Sequence, residues 1–315
     1  MVIGICPTVD FAFKLLFGSP EHARITIHFL NAILGPAYRI AAITFRNPIL
    51  GKETEEDKLS SLDILANDEN GRFINIEIQT TVPAGMHQRL AYYVSSLYSD
   101  QLTQGTNYTS LHPAISICVL TKPMYAKDSR LHIDFRLRDS TGLLLTDDLQ
   151  VHLLQLSKLT VTAQNVSLAS PIEKWAYFLL HAETMSLDDV RRLFPEVEFS
   201  EAAGVLNMIS QNPEQRQLYE ARLKFQRDEA ARLEGAINEG IEKGITQGRV
   251  EGRVEGRVEG RVEGLKVGQL LGQITILQDL LGVSQSNPEE LSTFSEAQLG
   301  EFIDQLKRQL RSRGQ

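Results

Sequence analysis

Two acids at alternating positions of a short hairpin are where this chain could do chemistry. Residues 60–80 read SSLDILANDENGRFINIEIQT, with Asp68-Glu69-Asn70-Gly71 as a turn signal between two alternating runs. Strand side chains alternate, so Ile74, Ile76 and Ile78 share one face while Asn75, Glu77 and Gln79 share the other. In the first run Leu62, Ile64 and Ala66 are apolar, and Ser61 and Asp63 point the opposite way. A three-residue loop, Glu69-Asn70-Gly71, closes on Asp68 opposite Arg72. It sets Leu62, Ile64 and Ala66 against Ile78, Ile76 and Ile74, Asp63 against Glu77, and Ser61 against Gln79. A two-residue Asn70-Gly71 turn would put Asp63 opposite Ile78 and mix the faces. The register that separates apolar from charged residues is the one predicted.

Like charges directly opposed on a sheet destabilise it, by up to ~1 kcal/mol. A divalent cation removes that repulsion. Mg²⁺ takes one or two carboxylates and fills its shell with water and phosphate oxygens. Such an ion lowers the pKa of a bound water and neutralises charge on a phosphate in transfer. Gln79 lies on the same face and could hold that water by hydrogen bonding. The same residues also fit a solvated hairpin face whose acids pair with surface Lys or Arg, and spacing alone leaves both readings open.

The elements around this hairpin follow from periodicity and punctuation. Residues 11–17 (FAFKLLF) predict a short helix with Asp10 as N-cap, interrupted by Gly18-Ser19-Pro20. Ser19 and Pro20 then open a second helix with an apolar stripe of Ile25, Phe29, Leu30 and Ile33, stopped by Gly35-Pro36. Residues 89–102 predict a helix that buries Leu90, Tyr93, Val94 and Leu97. Residues 114–120 are nearly continuous in apolar side chains, as in a strand covered on both faces, and residues 151–156 are a further strand candidate. Helix, hairpin, helix and strand in this order predict an α/β (α+β) domain.

These residues resemble a known family. Asp10-Phe11-Ala12-Phe13-Lys14 followed by Phe17-Gly18 is similar to its opening D-x-x-F-K…F-G signature, and Phe29-Leu30-Asn31 to the end of its first helix. Residues 58–64 (KLSSLDI) and Asn75-Ile76-Glu77-Ile78-Gln79 resemble its hairpin. Arg89-Leu90-Ala91-Tyr92-Tyr93 with Tyr98, Gln101-Leu102, Gly105 and Tyr108 resembles its next helix, and residues 113–120 its next strand. The family is the Rpn group of recombination-promoting nucleases and transposase-like proteins, within the PD-(D/E)xK nuclease superfamily. The match covers roughly residues 8–160 and more loosely the helices to about residue 240.

The resemblance implies a restriction-endonuclease-like core, a mixed sheet flanked by helices, followed by a helical C-terminal region. It implies a DNA endonuclease using Mg²⁺, or another divalent cation such as Mn²⁺, linked to recombination, mobile elements or defence. By position Asp63 and Glu77 are the metal ligands, and Gln79 completes the catalytic set where the wider superfamily has lysine. A glutamine orients water but brings no positive charge to the transition state. Asp10 and Arg89 are accessory candidates. Asp10 either caps its helix or joins the metal. Arg89 either reaches the site or the phosphate backbone, or pairs with a surface acid. Lys14 is read as an ion-pair partner, and Tyr92 and Tyr93 as packing residues. The alternative class is a catalytically weak or inactive DNA-binding or oligomerising protein that keeps the fold. A third is a regulatory interaction module working through the tail.

Composition narrows the field from outside. The 315 residues are 42% hydrophobic and 23% charged, enough for a packed core. A net charge of −8 excludes an evenly basic nucleic-acid coat while leaving room for a local basic groove. The two cysteines, Cys6 and Cys118, form no paired motif, which excludes a disulfide scaffold and a cysteine-rich zinc site. There is no P-loop, no H-E-x-x-H and no G-x-S-x-G, and the seven histidines are scattered. No apolar run approaches the ~20 residues of a membrane helix, and residues 1–10 lack a signal-peptide pattern. A cytoplasmic protein is expected.

From Gly240 to Gly272 every fourth residue is glycine, nine in all, and Gly-Arg-Val-Glu occurs four times in tandem over residues 248–263. As a helix this repeat loses roughly 9 kcal/mol against alanine, at about 1 kcal/mol per glycine. Two such helices could approach along glycine rows with the Arg row of one facing the Glu row of the other. A flexible linker and a self-association helix giving a homo-oligomer both remain open. The expected segments are residues 1–165 as the nuclease-like core, 166–234 as a helical extension, 235–272 as the repeat and 273–315 as a small helical tail. In that tail Ser295 precedes a helix carrying Leu299, Phe302, Ile303, Leu306 and Leu310, with Lys307, Arg308, Arg311 and Arg313 in its last turns.

Overall fold

A computed structural model describes residues 2–46, 63–102, 105 and 107–312. The motif over residues 58–62, with the Ser61–Gln79 and Leu62–Ile78 pairs, and the tail's Arg313 lie outside the described residues. The chain divides into two compact units, residues 1–232 and residues 233–315.

The first unit opens with helices α1 (Asp10–Gly18) and α2 (Ala23–Leu34). Val9 rather than Asp10 is the N-cap of α1, so Asp10 is its first helical residue and its carboxylate is free for other partners. Residues Pro20–His22 form a 3₁₀ turn, and α2 starts only at Ala23 because His22 leaves the helical conformation (φ −114°, ψ 22°). Gly35, at φ +73°, ends α2 as its position predicts.

Strands β1 (Ile43–Phe45), β2 (Ile64–Asp68) and β3 (Phe73–Gln79) come next, followed by helix α3 (Met86–Ser99). Strands β4 (Ala114–Leu120), β5 (His132–Arg138) and β6 (Leu144–Gln155) complete a six-stranded sheet of order β1-β2-β3-β4-β6-β5. It is mixed: β3–β4 and β4–β6 are parallel, and the remaining neighbours are antiparallel. The hairpin takes the expected register, with Ile64 opposite Ile76 and Ala66 opposite Ile74. Gly71 sits at φ +78° and its N–H reaches the Asp68 carbonyl, while Asp68 and Arg72 close the loop through N–H to O at 3.2 Å.

Every residue of β4 is buried, in keeping with a strand covered on both faces. One face, through Ile74, Ile76, Ile78, Ile115, Ile117 and Val119, packs on α1, α2 and the helices α4 (Pro171–His181), α5 (Leu187–Leu193) and α6 (Val197–Gln211). Trp175 of α4 is fully buried there against Phe17, Phe29 and Phe199. The other face packs Leu65, Ala114, Cys118, Leu120 and Leu153 on α3 through Met86, Leu90, Tyr93, Val94 and Leu97.

Helix α7 (Pro213–Leu281) is capped by Asn212, whose Oδ1 accepts the N–H groups of Glu214 and Gln215. Its first turns dock in the first unit through Tyr219, which is 4% exposed. Residues 240–272, including the glycine repeat, lie within α7 and are helical. In the second unit the end of α7, α8 (Pro288–Leu291) and α9 (Glu296–Ser312) share a core of Ile274, Leu281, Leu291, Leu299, Ile303 and Leu306. Ser295 and Gln298 form the reciprocal cap that starts α9. Among the described residues no helix is long and apolar enough to cross a membrane.

Candidate metal centre

Strand alternation puts Glu77 on the α3 side of the sheet, beside Cys118 in the β3–β4 register. Glu77 is 1% exposed. Its Oε2 accepts from Arg89 Nη2 at 3.3 Å and from Gln79 Nε2 at 3.4 Å, and its Oε1 accepts from Asn75 Nδ2 at 3.5 Å. These are long contacts for a carboxylate, whose charge-assisted bonds normally run about 2.7–2.9 Å. Arg89 comes from the first turn of α3 and is itself held by Tyr93, whose hydroxyl accepts from Arg89 Nε at 3.0 Å and whose ring lies under the guanidinium.

Asp63 stands at the bend that leads into β2, one residue before the Ile64–Ile76 pair, so the register carries it to the Glu77 end of β3. Its Oδ2 accepts the Ile78 N–H at 3.2 Å. Its Oδ1 lies 3.2 Å from Lys14 Nζ, and the same ammonium lies 3.2 Å from Asp10 Oδ1 one helical turn earlier on α1. Lys14 thus links the two aspartates. The hairpin brings Asp63, Glu77 and Gln79 to one end of β3, α1 adds Asp10 and Lys14, and α3 adds Arg89. Cations do pair with the acids, the alternative the spacing left open: partly exposed Lys14 and Arg89, from two helices that pack on opposite faces of the sheet.

Burial sets the electrostatics. It drives the Glu77 carboxyl up from 4.5 to about 7; Arg89 opposes this, and the nearby Asp63 charge adds to it. Burial also raises Asp63, with Lys14 opposing and Asp10 adding to the rise. Burial pulls Lys14 down, but the carboxylates of Asp63 and Asp10 outweigh it and hold the ammonium above its ordinary value. The Cys118 thiol is pushed well up by burial and then by the charge of Glu77. Two acids next to each other, both reluctant to ionise, mark a place short of positive charge.

Two polar atoms deepen that shortage. Asn75 Oδ1 and Ser116 Oγ, on paired residues of β3 and β4, are buried with no hydrogen-bond partner. The alternation of residues 75–79 pointed to Asn75, whereas Ser116 becomes its neighbour only through the parallel register of β4. The donor set is oxygen throughout, the preference of a hard divalent cation. Among the described residues no group of three His, Cys, Asp or Glu could hold an ion by itself. Two carboxylates with oxygen neighbours suit the chemistry of an ion such as Mg²⁺, which takes one or two carboxylates and completes its shell with water and phosphate.

A family model described as "PD-(D/E)XK nuclease family transposase" matches residues 7–236. No curated protein and no solved structure matches the chain.

Proposed function

The chain belongs to the PD-(D/E)XK nuclease family transposases, and from that premise we propose that it is a DNA endonuclease hydrolysing phosphodiester bonds with Mg²⁺ or Mn²⁺, in recombination, mobile-element movement or defence. The observation that carries this reading is Glu77: a carboxylate 1% exposed, held among the described residues by contacts of 3.3–3.5 Å, with Asp63 close enough to raise its pKa. A purely structural acid would gain from apolar replacement or from a tighter ion pair.

Asp63 and Glu77 would hold the ion. A bound divalent cation lowers the pKa of its water and neutralises charge on the phosphate. Gln79, whose amide donates to Glu77 Oε2, would orient the attacking water. Lys14 keeps Asp63 and Asp10 oriented and supplies the positive charge that Gln79 lacks. Arg89, anchored on Tyr93, aims Glu77 and is free enough, at 36% side-chain exposure, to meet a phosphate. The protein works in the cytoplasm.

The glycine repeat acts as a self-association helix. Val250, Val254, Val258 and Val262 are each about half exposed along it, and its Arg and Glu rows are complementary between two copies.

Supercoiled plasmid with Mg²⁺ tests the reading. The unmodified protein is expected to convert it to open-circular or linear DNA, and Asp63→Ala, Glu77→Ala or EDTA to abolish conversion. Equal conversion by the unmodified and Asp63→Ala proteins, or none by either, leaves a DNA-binding protein on a nuclease fold.

A further inference from the structure

A cavity of about 220 Å³ opens beside Asp10 of α1, lined also by Gln79 at the end of β3, Thr81 just beyond it, and Arg222, Phe225 and Gln226 of α7. All of these lie in the first unit. The α7 residues fall at i, i+3 and i+4, one face of a helix. That face is fixed in place: the Tyr219 hydroxyl accepts the Cys6 N–H at 3.0 Å, and Leu223 packs on the main core. Phe225 nonetheless stays 62% exposed. A phenyl ring left open at the mouth of a cavity that shares Asp10 and Gln79 with the acid cluster has no packing role to explain it.

We infer that this cavity is a nucleotide subsite, in which one unpaired base of the DNA strand being cut stacks on Phe225. The inference rests on the nuclease reading and deepens it by naming the form of the substrate. Aromatic side chains bind single-stranded nucleic acid by stacking. The volume lies below the roughly 300 Å³ at which sites for drug-sized ligands begin. That is the scale of one base rather than of a base pair. Gln226 offers both an amide donor and an acceptor, so the edge of any base finds a partner and sequence preference is weak. The base sits next to the acids because it belongs to the same strand as the reacting phosphate. DNA with frayed, branched or single-stranded segments is therefore the preferred substrate, since extruding a paired base costs a few kcal/mol.

The test is binding, separated from chemistry by working in an Asp63→Ala background with Ca²⁺. The probe is a short single-stranded oligonucleotide carrying 2-aminopurine, compared with the same sequence as a blunt duplex. Phe225→Ala is expected to weaken single-strand binding about tenfold and to remove the 2-aminopurine quench. Duplex binding should change much less, and Phe225→Trp should restore the single-strand affinity. Unchanged single-strand affinity in Phe225→Ala, or equal loss for strand and duplex, overturns the subsite. Failure of the unmodified protein to cut plasmid would sink the nuclease reading while leaving a Phe225-dependent preference for single strands intact, so the two failures are distinguishable.

Discussion

Glu77 is costly to the fold as it stands. Holding a carboxyl at about 7 rather than 4.5 corresponds to roughly 3 kcal/mol against its ionised form. The sign follows from linkage: the folded state keeps this proton longer than the unfolded chain, so the penalty is full above pH 7 and vanishes below about 4.5. Metal-free Glu77→Gln protein should therefore melt higher than the unmodified protein at pH 8, and the gain should shrink toward pH 5. Thermal melts in EDTA at the two pH values check this, and a lower melting point for Glu77→Gln at pH 8 would mean that Arg89 already compensates the charge. The alternation of the hairpin placed Asp63, Glu77 and Gln79 together from sequence. Lys14 and Arg89 were harder to assign, because each is delivered by a helix whose docking no local pattern encodes.

At the level of elements, the hairpin turn fixes which residues share the site. Gly71 adopts φ +78°, and a Cβ there would lie 2.9 Å from the His112 ring. The ring is on the surface and can shift, but the left-handed backbone still costs an L-residue roughly 1–2 kcal/mol. Gly71→Ala should lower unfolding stability by about that amount in urea titration; no change would show that the loop closes another way. Strong patterns were legible in these elements. The continuous apolar run of β4 and the alternation of β3 both predicted strands. The three-residue β1 and the edge strand β5 gave no such signal, since β5 buries only Ile133 fully and mixes Arg and Asp along its length. Likewise β6 begins at Leu144, well before residue 151, because its first half is exposed or only partly covered and Thr146-Asp147-Asp148 interrupt its leucines, so it carries no clean strand pattern. Helix α3 starts at Met86, where Gly85 at φ +83° turns the chain into it.

The whole molecule joins a catalytic-type unit to a helical one through a helix that propensity alone would not sustain. Roughly 9 kcal/mol of glycine cost in a segment whose valines are about half exposed calls for a further source of stability, and the self-association proposed above would supply it. Removing residues 248–263 is expected to lower the mass measured by light scattering to that of one chain, and an unchanged mass would leave the repeat as a spacer. Sequence left linker and helix open here because charge and glycine in every unit speak against each other.

The account turns on whether Asp63 and Glu77 grip one cation. Mn²⁺ binding by electron paramagnetic resonance, followed by competition with Mg²⁺, measures this with no substrate and no turnover. The unmodified protein should bind Mn²⁺ displaceable by Mg²⁺, and Asp63→Asn and Glu77→Gln should each lose that binding. Mn²⁺ held equally well by both variants would contradict the assignment.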